Sequence, residues 1–125
     1  MARSSEPVMN LVVIRSVDLE RSRRFYTALG LRLSREQHGF GPEHLVATVG
    51  AIVLEIYPQN GGAKTAGVRL GFVVESVATT IATLQAVGGT VIAPIRESEW
   101  GARAVVADLD GHRLELVERR IAPHE

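Results

Sequence analysis

Residues 18–30 read DLERSRRFYTALG, and residues 76–88 read SVATTIATLQAVG. Each stretch opens on a short polar side chain able to cap a helix, continues with apolar residues at helical spacing, and closes on glycine. After Asp18, Leu19, Phe25, Tyr26 and Leu29 share one face while Arg21, Arg23 and Arg24 lie largely on the other, and Gly30 follows. After Ser76 come Val77, Ile81, Leu84 and Val87, then Gly88. Cap and stop both recur 58 positions on (18 to 76, 30 to 88). The recurrence predicts two helices of equal length, each ended by its glycine, in two copies of one unit.

The flanking residues extend the repeat. Val8 to Ser16 is rich in β-branched side chains and precedes the first helix; Val68 to Val74 stands in the same place before the second. Strands are expected after the first helix at about Leu31 to His38, His44 to Val49 and Ala51 to Tyr57. After the second they are expected at about Thr90 to Ile95, Arg103 to Asp108 and His112 to Arg119, with turn chemistry at Asp110 and Gly111. Pro58 to Gly67, with three glycines, reads as a linker. The expected architecture is α+β: two βαβββ modules, residues 8–57 and 68–119, within a single domain covering 1–125. A sheet with one helix leaves its other face bare, so the modules are expected to face each other as a curved, partly open eight-stranded barrel around a cleft.

Composition narrows the function. The 125 residues are 46% hydrophobic, and 14 basic side chains balance 14 acidic ones, so no net field draws the molecule to nucleic acid or an anionic membrane. The absence of cysteine removes disulfides, thiolate nucleophiles and zinc-thiolate centres. Met1 to Pro7 carry no apolar run of the signal-peptide kind and no apolar stretch is long enough to span a bilayer, so a cytoplasmic location is expected. No nucleophile-base spacing, phosphate loop or basic-aromatic interleaving is present.

Alternation places the chemistry. With Ile52, Leu54 and Ile56 beneath the first helix, Glu55 and Tyr57 point into the cleft; with Leu114 and Leu116 beneath the second helix, so does Glu115. Leu11, Val13 and Arg15 share the cleft face of the first strand, and Arg69 and Arg103 are placed there too. A buried carboxylate needs a cation, so pairing of the glutamates with Arg15, Arg69 or Arg103 stands beside metal ligation and proton transfer as readings of the site. His38 and His44 flank a glycine-rich loop over the cleft mouth; they are read either as proton carriers or as solvated hairpin residues. His112, beside a turn glycine, is expected at the surface. Trp100 is read as a stacking platform or as a lid or dimer contact.

The segments Val17 to Ser22 with Phe25, Tyr26 and Leu29 to Leu31, then Trp100 to Arg103, then Asp108 to Leu116, resemble the vicinal oxygen chelate superfamily of glyoxalases, extradiol dioxygenases and bleomycin-resistance proteins. The similarity runs from Leu11 to Glu118. It implies metal ligands, in metal-dependent members, at Leu11, Glu55, Arg69 and Glu115. Leucine has no donor atom and arginine is a permanent cation, so half that set is missing and Arg69 is expected to replace the ion, by bridging to Glu55 or Glu115 or by meeting an anionic group of the ligand. The expected function is metal-independent binding of a small organic compound, or lyase or isomerase chemistry with Glu55 or Glu115 as base beside Arg69. The alternative keeps Mg²⁺ or Mn²⁺ on Glu55 and Glu115. Relatives usually dimerise, so a homodimer is expected.

Overall fold

The computed structural model describes residues 5–99 and 101–120. The first module contains β1 (Leu11–Ser16), α1 (Leu19–Leu29), β2 (Ser34–Glu36), β3 (His44–Val49) and β4 (Ile52–Pro58). The second contains β5 (Arg69–Val74), α2 (Val77–Gln85), β6 (Thr90–Ser98), β7 (Gly101–Ala107) and β8 (Arg113–Glu118). Each module makes a four-stranded sheet, ordered β1-β4-β3-β2 and β5-β8-β7-β6. The first strand of each lies parallel to the last, and the remaining pairs are antiparallel. Among the described residues no strand of one sheet hydrogen-bonds to the other, so the eight-stranded arrangement is open.

Local chemistry explains the helix ends. The Asp18 carboxylate accepts from the Arg21 N–H at the start of α1, and Gly30, with φ of 116°, ends it in the left-handed conformation. Ser76 caps α2 through the Thr79 N–H, and Gly88, with φ of 98°, closes it as Gly30 closes α1: the Gly88 and Gly89 N–H groups donate to the Gln85 and Leu84 carbonyls, as those of Gly30 and Leu31 donate to Thr27 and Tyr26. A Cβ on Gly89 would sit 2.9 Å from the Leu84 carbonyl oxygen and 3.1 Å from Phe25 and Val106, so a glycine suits the close approach of this turn to α1 and β7.

Two strands differ from expectation. Only Ser34–Glu36 pairs in the first, because Leu31 and Leu33 pack against the core instead of extending the ladder. β6 continues through Pro94 to Ser98, which an edge strand permits because the missing N–H is not needed on its open side.

α1 covers β3 and β4, α2 covers β6, β7 and β8, and the helices touch each other. Ile14, Phe25, Tyr26, Leu45 and Ile56 from one module and Val77, Leu84, Val106, Leu114 and Leu116 from the other form one buried cluster. The sheet faces away from the helices remain largely open within the chain, with Leu11, Val13 and Val73 exposed on them. Among the described residues no helix is long and apolar enough to cross a membrane.

Candidate functional site

Strand register assembles a polar row across the open face of the first sheet. Glu36 stands opposite His44; the ladder that pairs Leu45 with Ile56 sets His44 beside Tyr57, and Arg15 pairs with Tyr57 on the far side. The His44 ring stacks on Tyr57 at 4.1 Å between centroids, and the Arg15 guanidinium carbon lies 5.8 Å from the Tyr57 centroid. His44 is not a solvated hairpin residue: its side chain is 1% exposed, because Tyr57 covers it. Its Nδ1 lies 3.2 Å from the Pro42 carbonyl oxygen, so Nδ1 is the donor of that bond. Its Nε2 is buried without a hydrogen-bond partner, 3.9 Å from Glu55 Oε2. His38, by contrast, is 70% exposed and 3.5 Å from Glu36.

The second sheet gathers guanidinium groups. Arg103 Nη2 meets Glu115 Oε2 at 2.6 Å. Both line a cavity of about 650 Å³ with Arg69, Arg96, Glu97, Ile95 and Val105. The cation that holds Glu115 is therefore Arg103; Arg69, expected to bridge to Glu55 or Glu115, has no ion pair among the described residues. Arg69 also lines an adjoining apolar groove of about 410 Å³ with Met9, Val12, Leu70 and Phe72.

Glu55 and Glu115 occupy corresponding positions of the two sheets, yet the cavity of about 650 Å³ is lined by Glu115 and not by Glu55. Arg15, His38, His44, Glu55 and Tyr57 belong to one cluster, Arg69, Arg103 and Glu115 to the other, with Leu11 and Val13 on the exposed face of β1 beside the first. Trp100 lies outside the described residues.

A third constellation joins the modules. Asp108 Oδ2 accepts from the Tyr26 hydroxyl at 2.6 Å and lies 2.7 Å from His112 Nδ1, while Oδ1 accepts the N–H groups of Asp110 and His112. His112 Nε2 is 2.6 Å from Thr65 Oγ1, which accepts from the Arg15 N–H. His112 is buried, not exposed, because the linker residue Thr65 lies over the turn. Burial pushes the Tyr26 hydroxyl well above its ordinary value, with the Asp108 charge adding to it. Burial also works to raise Asp108, but hydrogen bonds from His112 and Tyr26 outweigh it and hold the carboxyl below its usual value.

Residues 8–116, from the first strand of one module to the last strand of the other, match the sequence profile of the Glyoxalase/Bleomycin resistance protein/Dioxygenase superfamily. The chain belongs to that superfamily.

Solved structures carry the same fold. A glyoxalase-related enzyme from Fulvimarina pelagi aligns over 94% of this chain and 92% of its own at 24% identity, with a TM-score of 0.74. TnmS3, an antibiotic binding protein from Streptomyces sp. CB03234, aligns over 93% and 98% at 22% identity, TM-score 0.73. The oxidase ChaP-H2 aligns over 93% and 96% at 22% identity, TM-score 0.70. No curated protein matches the chain.

Where the resemblance implies metal ligands, two of the four side chains, Leu11 and Arg69, are not donors. Leu11 offers no donor, Arg69 is a cation, and the Glu115 carboxylate is held by Arg103. Elsewhere, Glu36, His38 and His44 bring donor atoms within 4.8 Å of one another, as do Asp108, Asp110 and His112. In the second group the carboxylate oxygens already accept hydrogen bonds from Tyr26, Ser22 and backbone N–H groups, so those donors are spent. In the first group the buried His44 Nε2 has no hydrogen-bond partner.

Arg96 and Glu36 were not visible as site residues in the sequence. The strand carrying Arg96 reads as ending at Pro94 and Ile95, and Glu36 gains meaning only through its register with His44.

Proposed function

We propose that this superfamily member binds a small organic compound without a metal at the superfamily position. The observation that carries this reading is the Arg103–Glu115 pair at 2.6 Å, which supplies a fixed cation to the carboxylate a metal would need. The cavity beside it offers charged and apolar lining together, the usual make-up of a small-molecule site. The fold leaves catalysis open, since an antibiotic-binding protein and an oxidase share it. In a catalytic version Glu55 is the better base, because Glu115 is neutralised by its arginine. A cytoplasmic homodimer completes the proposal, as a second copy would cover the sheet faces that one chain leaves bare.

Isothermal titration with a panel of aromatic and amphipathic compounds, with and without EDTA, tests the reading. Affinities unchanged by chelator are expected. Loss of binding in EDTA, restored by Mg²⁺ or Mn²⁺ and abolished in Glu115→Gln, would sink it. Sedimentation velocity checks the dimer.

A second reading has its own observation. The orphaned Nε2 of His44, in a group with Glu36 and His38, has the tautomer that ligating histidines show when the other nitrogen binds a backbone carbonyl. On that reading a divalent ion sits on the β2-β3 hairpin instead, and His44→Ala removes its uptake while Glu115→Gln does not.

A further inference from the structure

We infer that the cavity on the second sheet receives an organic anion, a carboxylate on an apolar body, through Arg69 and Arg96; this deepens the metal-free binding reading and rests on it. Register supplies the argument. Arg96 stands directly opposite Arg103 across β6 and β7, and Arg69 directly opposite Arg113 across β5 and β8. Like charges facing each other across a ladder destabilise a sheet. Here it happens twice on one face. Glu115 answers only Arg103, and Glu97, which also lines the cavity, pairs with none of the four among the described residues.

The corresponding cross-strand pairs of the first sheet are Leu11 with Val53 and Glu36 with His44. The fold itself therefore does not require arginines at these places. With 14 basic and 14 acidic side chains in the chain, this local excess is not a reflection of overall charge either. Residues that cost stability without a structural return mark functional positions.

Guanidinium groups bind carboxylates in a planar, two-bond geometry, and two unpaired ones flanking a cavity set an anion between them. Arg69 stands at the junction of this cavity and the apolar groove with Val12, Leu70 and Phe72. A carboxylate held there leaves its apolar body against either Val105 and Ile95 or the groove.

The experiment compares three isosteres on the full chain by isothermal titration: 2-naphthoate, neutral 2-naphthamide and cationic 2-naphthylmethylammonium. Naphthoate is expected to bind about tenfold more tightly than the amide, with the ammonium weakest. Arg96→Gln and Arg69→Gln should each erase most of that preference, and the ligand-free Arg96→Gln protein should melt at a higher temperature than the parent because a repulsion is gone. Equal affinity for naphthoate and naphthamide, or a preference that survives in both variants, overturns the anion assignment and leaves small-molecule binding standing. A lower melting temperature for both variants overturns the repulsion on which it rests. Loss of naphthoate binding in EDTA overturns the metal-free reading instead.

Discussion

At Asp108 one carboxylate takes hydrogen bonds from Tyr26, from His112 and from two backbone N–H groups, and so ties α1, the turn after β7 and, through His112 and Thr65, the linker. Replacing it with asparagine keeps the shape and removes the charge. Asp108→Asn is expected to cost about 2–4 kcal/mol at pH 7 in urea unfolding, since the buried donors lose a charged acceptor. The pH dependence follows from the lowered pKa. Its ordinary value is 3.8 and the folded value is lower, so the unfolded chain takes up the proton first as pH falls. The carboxylate's contribution is complete above 3.8 and drains away as pH drops through the folded value. The parent should therefore lose urea resistance steeply below that point, and Asp108→Asn should lose less there. An equally steep loss in both proteins would remove Asp108 from the account. The sequence placed Asp108 and His112 at the strand ends that flank the Asp110–Gly111 turn, and each lies one residue outside its strand. It gave no sign that they are buried, because the partner that encloses them, Thr65, is 47 residues from His112.

The elements were legible where their signals are local. Asp18 and Ser76 each accept from the N–H three residues on, and side chain to backbone capping needs nothing from the rest of the fold. Asp18→Ala and Ser76→Ala are each expected to cost about 1 kcal/mol. The caps lie on separate helices and share no partner, so the double variant should lose the sum to within about 0.5 kcal/mol by urea midpoint. A marked excess in the double would show that the helices are coupled through their starts. Elements whose bounds depend on neighbours were read less well. β6 outruns Pro94 because it is an edge. That is not written in the segment itself.

Across the whole molecule, the duplicated sequence does not produce two independent cores. Leu84 of the second module and Phe25 of the first belong to one buried cluster. Leu84→Ala is expected to cost about 2–5 kcal/mol and to lower a single unfolding transition, with far-UV circular dichroism and tyrosine fluorescence coincident. Two separated transitions would mean that the modules fold apart. The sequence by itself determined the βαβββ repeat and the inward and outward faces of its strands, because alternation and helical spacing are periods of the backbone. Only the tertiary structure decided which cation meets which carboxylate. Arg103 meets Glu115 while Arg69 stays apart, and Glu55 faces an imidazole rather than a guanidinium, since such pairings depend on register and sheet placement across dozens of residues.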